Sequence, residues 1–219
     1  MEIDIQKRVM PRIKLTPNIR SMMRIFSLTT DDLKRPLIDL SVSFDLKPGE
    51  IYFITGPSGC GKSLLLREMR RAIPSDERID INDLPLSAVT TMIDCFKSAP
   101  LGLRALSRMG LSDVSAMLLP PAILSEGQKY RYRLAKAISS GKQIIIADEF
   151  CSTLDKVTAG LLCLKLRRIA DRTGKIFILA GHSRGLLPDL MPDCVLQVHS
   201  NSEIIKLKRI DQTDMYERA

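Results

Sequence analysis

Ile51-Tyr52-Phe53-Ile54-Thr55-Gly56-Pro57-Ser58-Gly59-Cys60-Gly61-Lys62-Ser63 joins an apolar run to a Gly-x-x-x-x-Gly-Lys-Ser loop. The apolar residues predict a buried strand. From Lys62 the spacing predicts a helix with Leu65, Leu66, Met69, Ala72 and Ile73 on one face, stopping before Pro74. Between the two, Gly56, Gly59 and Gly61 let the backbone curl so that successive N–H groups face an anion, and the helix N-terminus adds its partial positive charge. Lys62 suits the β/γ oxygens of a triphosphate, and the Ser63 hydroxyl suits Mg²⁺. The loop Gly56, Pro57, Ser58, Gly59, Cys60, Gly61, Lys62, Ser63 and Leu64 thus points to a bound nucleoside triphosphate, with Mg²⁺ as cofactor.

Upstream, Ile38, Leu40, Val42, Phe44 and Leu46 alternate with polar residues, which predicts a half-buried antiparallel strand before the Lys47-Pro48-Gly49-Glu50 turn. Residues 1–20 carry Pro11 and Pro17 without clear periodicity and read as a basic N-terminal arm. Downstream, residues 84–139 predict a small helical subdomain of short pieces. It ends in a longer amphipathic helix from about Ser125 to Ser139. A strand at Gln143–Ala147, a helix near Leu154–Ala170, a strand at Lys175–Ala180, a short helix before Pro192 and strands near Cys194–Val198 and Glu203–Leu207 follow. This alternation predicts an α/β fold of the P-loop NTPase kind, with a mainly parallel sheet, helices on both faces and an antiparallel N-terminal β part. The main domain is expected over 21–210, with 211–219 as a C-terminal tail.

Bulk properties narrow the setting. With 45% apolar residues in 219, the chain can bury a large core, but no apolar run approaches the ~18 residues that span a bilayer. Direct membrane insertion is not expected, and the expected location is cytoplasmic. Five scattered cysteines without C-x-x-C spacing indicate neither a zinc site nor a disulfide framework. Cys60 reads as a loop filler, with an activated thiolate as the alternative. The net charge of +8 collects near the N-terminus and in Lys129, Arg131, Arg133, Lys136 and Lys142. Such a stretch is either a solvated face or a surface for nucleic acid or an acidic partner.

Two further motifs complete a constellation. Ile144-Ile145-Ile146-Ala147-Asp148-Glu149 is an apolar strand ending in two acids, which in a doubly wound sheet emerge at the edge where the phosphate loop sits. Asp148 is a candidate Mg²⁺ ligand, and Glu149 a candidate catalytic residue that orients the attacking water. Leu124-Ser125-Glu126-Gly127-Gln128 opens the helix just before that strand. In this order the three motifs resemble the ATP-binding-cassette (ABC) ATPases. Asp148-Glu149-Phe150-Cys151-Ser152-Thr153-Leu154-Asp155 is similar to that family's extended acidic run, and His182 to its switch histidine. The resemblance covers roughly residues 20–208.

It implies an ATP hydrolase that forms a head-to-tail homodimer around Mg-ATP. Ser125, Gly127 and Gln128 would then belong to the site of the partner copy, Asp155 would line the interface, and His182 would contact the γ-phosphate from the side of Lys62. Phe26, about thirty residues ahead of the loop, would lie under the adenine, with an ordinary apolar role as the alternative. The family's glutamine between loop and signature is missing; Asp94 is the best-placed polar substitute at the metal, or else an ordinary surface aspartate. Glu126 replaces a glycine and Phe150 a proline. The short interval between Lys62 and Ser125 leaves little room for a membrane partner's coupling helix. The chain therefore looks like a stand-alone, non-transporter branch, related to members sometimes fused to an acetyltransferase domain. Its partner would be nucleic acid or a protein. The ATPase subunit of a membrane transporter, and a nucleotide-dependent module with negligible turnover, are the alternatives.

Overall fold

In the computed structural model, which describes residues 1–200, 203–209 and 216–218, β1 (Glu2–Val9) pairs antiparallel with β2 (Ile38–Asp45). Ile3 faces Phe44 and Ile5 faces Val42 across this ribbon, and Ile3, Ile5, Leu40 and Phe44 are buried. The arm expected over residues 1–20 is therefore a strand over its first half. Only two alternating isoleucines reach the core, too short a pattern to stand out beside Pro11 and Pro17. Between the paired strands the chain makes an excursion carrying α1 (Pro17–Ile25), started by Pro17 and by the Thr16 hydroxyl, which accepts from the Ile19 N–H at 3.3 Å.

The strands β3 (Ile51–Thr55), β4 (Arg78–Asp80), β5 (Ile144–Ala147), β6 (Ile176–Ala180) and β7 (Cys194–Val198) are mutually parallel. β8 (Ile204–Arg209) then pairs antiparallel with β7, and β9 (Tyr216–Arg218) antiparallel with β8. The sheet order is β4-β5-β6-β3-β7-β8-β9. Where a tail was expected over 211–219, residues 216–218 extend the sheet, and the Tyr216 hydroxyl donates to the Pro192 carbonyl at 3.0 Å. Residues 211–215 and 219 lie outside the described residues.

Parallel strands need crossovers, and the helices that supply them cover both faces. Tyr52, Ile54, Ile144, Ile146 and Ile178 pack toward α2 (Lys62–Ala72) and the ribbon. Ile51, Phe53, Ile145, Phe177 and Leu179 pack toward α3 (Ala99–Arg108), α4 (Val114–Met117), α5 (Glu126–Ser139) and α6 (Lys156–Thr173). Each isoleucine so buried contributes roughly 1.5–3 kcal/mol, which makes the register of the strands costly to change. α2 buries Leu65, Leu66 and Met69 with Ile73 at its end, while Ala72 is exposed, because the helix turns one step away from the sheet before Pro74. The short α7 (Leu187–Leu190) leads into β7.

At the sheet edge away from the phosphate loop, buried Arg167 of α6 ties four segments together. Its guanidinium donates to Asp171 and to Asp193 at 2.6 Å each, and to the carbonyls of Met191 and Gly49. Asp193 also accepts the Ile51 N–H at 2.8 Å and Arg209 at 2.9 Å. Burial alone would lower the Arg167 pKa, but the two carboxylates reverse that and hold it above the ordinary value.

Candidate functional site

Strand order explains how distant motifs meet. β6 lies between β3 and β5, with Ile54 level with Ala180 and Ala147 level with Leu179. Past the strand ends the pairing continues: Gly181 N–H donates to Ile54 C=O at 3.0 Å and Phe150 N–H to Ala180 C=O at 2.7 Å. The phosphate loop, Asp148-Glu149 and His182 therefore leave the sheet side by side. A cavity of about 290 Å³ is lined by Ser58, Gly59, Gly61, Lys62, Ser63, Leu64, Asp148, Glu149, Ala180, Gly181 and His182.

Within the loop, Gly56, Gly59 and Gly61 have φ of 152°, 77° and 105°. Gly56 is held tightest: a Cβ there would lie 2.1 Å from the Val198 carbonyl oxygen and 2.9 Å from Cys60 Sγ. Cys60 is buried, with its sulfur packed against Gly56, as expected of a loop filler. Lys62 opens α2 and is buried; its ammonium donates to the carbonyls of Gly56 at 3.0 Å and Pro57 at 2.6 Å. Among the described residues no carboxylate pairs with it, which leaves its charge for an anion.

The acidic strand end is shaped by backbone and not by sequence-local rules. Glu149 and Cys151 adopt φ of 50° and 59°, a costly region for side-chain-bearing residues. Holding them there, the Tyr130 hydroxyl of α5 accepts the Cys151 N–H at 3.2 Å. Burial pushes the Tyr130 phenol well above its ordinary range, so it stays neutral. Phe150 sits between Phe53 of β3 and Tyr130, edge-on to both at 6.5 and 6.4 Å. The replacement of proline by Phe150 is thus a packing solution linking the acidic strand to α5. Nothing in the sequence spacing pointed to Tyr130.

The signature segment lies outside this cavity. Ser125 is the exposed N-cap of α5: its hydroxyl accepts the Gln128 N–H at 3.3 Å, and Gln128 Oε1 accepts the Ser125 N–H at 3.0 Å. Gly127 is pressed against the loop after the acidic strand, where a Cβ would stand 3.1 Å from Leu154 Cδ2 and 3.5 Å from the Thr153 carbonyl. Glu126 is turned to Lys129 at 2.8 Å on its own helix; that bond holds its carboxyl below the usual range. Asp155 caps α6 by accepting the Thr158 N–H at 2.9 Å, which lowers its pKa.

Two expected site residues are not brought to the cavity. Phe26 stands at the end of α1, 62% exposed, because the excursion between β1 and β2 carries it away as part of a separate helix. Asp94 is engaged with its own turn, accepting from the Thr91 hydroxyl at 2.7 Å, and lines no part of the cavity.

The basic stretch after Gln128 is also spoken for. Arg131 donates to the Gly127 and Gly110 carbonyls, Arg133 to that of Leu84, Lys136 to that of Cys95 and Lys142 to that of Asp76. Each of these cations is held against a carbonyl of the helical subdomain or of a strand connection.

The profile of the family described as "ABC transporter" matches residues 40–100. A methionine import ATP-binding protein (MetN 1) of Oceanobacillus iheyensis is 26% identical over 211 residues, covering 79% of this chain and 61% of that protein. The spermidine/putrescine import ATP-binding protein PotA of Thermotoga maritima is 29% identical over 178 residues, 66% of this chain and 47% of its own. Over most of its length the chain is similar to ABC ATP-binding proteins. It spans about half to three-fifths of the length of these relatives. In fold, this chain is similar to MJ0796, a bacterial ABC transporter cassette solved as a dimer. The TM-score is 0.69 at 16% identity, with 95% of this chain and 98% of that chain covered. An Atm1-family exporter with ATP bound matches over 79% of this chain with a TM-score of 0.60. Among the described residues no helix is long and apolar enough to cross a membrane.

Proposed function

We propose that this chain is an ABC-type ATPase that hydrolyses ATP in sites shared between two copies arranged head to tail. The observation that carries this reading is the division of motifs. Loop, acidic pair and histidine share one cavity, while Ser125 sits capped and exposed outside it. A phosphate cradled by loop N–H groups and Lys62 would be open on the far side, and a second copy's Ser125 and Gly127 would close it. Gln128 keeps that serine in place through the capping box, and Asp155 lies next to the interface.

Ser63 and Asp148 offer a hydroxyl and a carboxylate, hard oxygen donors of the kind Mg²⁺ prefers, and both line the cavity. Bound there, Mg²⁺ would neutralise charge on the phosphate oxygens. Glu149 orients a water and accepts its proton as the water oxygen attacks the γ-phosphorus and ADP leaves. His182 donates to the γ-phosphate, stabilising charge as the bond breaks. Closure then depends on the triphosphate, so hydrolysis opens the pair and transmits motion to a partner.

A protein partner is favoured over nucleic acid, because the cations after Gln128 are engaged with backbone carbonyls. A second reading, the ATPase subunit of an importer, is favoured by the names of its relatives, methionine and spermidine/putrescine import ATP-binding proteins. The test is steady-state phosphate release together with sedimentation. Glu149→Gln should lose at least tenfold in turnover and sediment as a dimer only with Mg-ATP. Unchanged turnover in that variant would overturn the assignment.

A further inference from the structure

On the face of the sheet covered by α3, α5 and α6, two cavities of about 530 and 220 Å³ share Arg108, Ile169 and Thr173 and so form one groove. Neither is lined by a carboxylate. Lys97, Arg104 and Arg108 enter from the α3 side, and Lys165, Arg168 and Arg172 from α6. Helical spacing puts Arg104 and Arg108 on one side of α3, and Lys165, Arg168 and Arg172 on one side of α6. Among the described residues none of these six has an ion-pair or hydrogen-bond partner, unlike the cations of α5. Below them Lys136 and Lys175 are engaged with the Cys95 and Lys142 carbonyls. Burial lowers the Lys175 pKa.

Between the two basic rows the lining includes Leu84, Phe96, Leu101, Ile138 and Ile169, with Leu101 51% exposed and the Lys136 ammonium 4.9 Å from the Phe96 ring centre. Opposed rows of unpaired cations create a strong positive potential in a concave, low-dielectric setting. A phosphodiester backbone would satisfy the rims and leave the floor wet. A segment with acidic side chains on its flanks and apolar ones on its underside satisfies both.

We propose that this groove docks an acidic amphipathic segment of a partner protein. It lies on elements separate from the phosphate cavity, and the reading stands whether or not ATP is turned over. The recognition has two parts: carboxylates meet the arginines, where a bidentate pair is available to each guanidinium, and apolar side chains cover the exposed Leu101.

Fluorescence anisotropy on the full chain tests it with three labelled probes. The first is a roughly 20-residue Glu/Leu peptide whose leucines share one helical face. The second has the same composition permuted to spread the leucines, and the third is an oligodeoxythymidylate of about 20 nucleotides. The amphipathic peptide is expected to bind at least tenfold tighter than the other two. R104E/R108E and, separately, R168E/R172E should each weaken it about tenfold or more and flatten its salt dependence. L101S should weaken it while leaving the salt dependence intact. Both charge-reversed proteins should keep wild-type circular dichroism and phosphate release, because the substituted residues are exposed and far in sequence from the loop. Equal binding of the permuted peptide, tighter binding of the oligonucleotide, or affinity untouched by both double variants would overturn the proposal.

Discussion

Two glycines of the same loop should respond very differently to one added methyl group. Gly59→Ala meets nothing within 4 Å and suffers only from φ of 77°, a penalty of roughly 1–2 kcal/mol. Gly56→Ala carries a comparable or larger backbone penalty at φ of 152°, and its Cβ would fall 2.1 Å from the Val198 carbonyl oxygen. That oxygen is backbone at the end of β7, the neighbour of β3, so relief requires the two strands to separate at the loop. Overpacking of this kind costs about 1–3 kcal/mol. The entropy lost by the unfolded chain, about 0.4–1 kcal/mol, is common to both and cancels. Gly56→Ala should therefore be less stable than Gly59→Ala by about 1–3 kcal/mol, which in a chain of this size corresponds to roughly 2–4 °C of melting temperature per kcal/mol. Thermal and urea unfolding followed by circular dichroism without nucleotide measures it. Equal losses, or Gly59→Ala as the worse variant, would refute the reasoning.

Asp193→Ala should destabilise the protein by about 3–5 kcal/mol, read by urea unfolding, because it strips buried Arg167 of a carboxylate and frees the Ile51 N–H. Asp171→Ala should do much less, since Asp171 is exposed and Asp193 remains. Tyr130→Phe removes the acceptor of the buried Cys151 N–H, and a loss of about 1–3 kcal/mol is expected. Turnover should also fall, because the strained Glu149 turn is no longer held; unchanged phosphate release would count against that coupling. For Asp155, the bond from Thr158 lowers the folded-state pKa, so its charge contributes stability above the ordinary aspartate range that is lost as pH falls through the depressed value. Asp155→Asn keeps the cap without the charge. Its melting temperature should lie below wild type near neutrality and converge with it in acid; a constant gap across pH would contradict the linkage.

What was legible in the sequence is what chemistry constrains residue by residue. A phosphate cradle needs glycines, a lysine and a hydroxyl at fixed spacing, and Asp148-Glu149 had to follow an apolar strand, so both were found with their elements. Relations between distant segments were not legible. The insertion of β6 between β3 and β5, which brings His182 to the loop, is a choice of topology that local pattern does not encode. The bond from Cys151 to Tyr130 spans 21 residues and depends on the angle at which α5 crosses. Charge was the misleading signal. Whether Lys129 to Lys142 form a solvated face or a binding surface stayed open because sequence cannot say which cations meet backbone carbonyls, whereas the unpaired cations of α3 and α6 lie far apart along the chain. β1 escaped notice because its partner β2 lies beyond a long excursion, and the place of Phe26, on that excursion, was not legible for the same reason.

The central claim, a site completed by a second copy, is tested most directly by mixing two inactive variants. Lys62→Ala spoils the loop and keeps Ser125; Ser125→Glu spoils the capping serine and keeps the loop. Each alone should release little phosphate. In an equal mixture half of the dimers are mixed and each has one complete site, so turnover should recover to roughly a quarter of wild type. A mixture no more active than its two components would contradict the account.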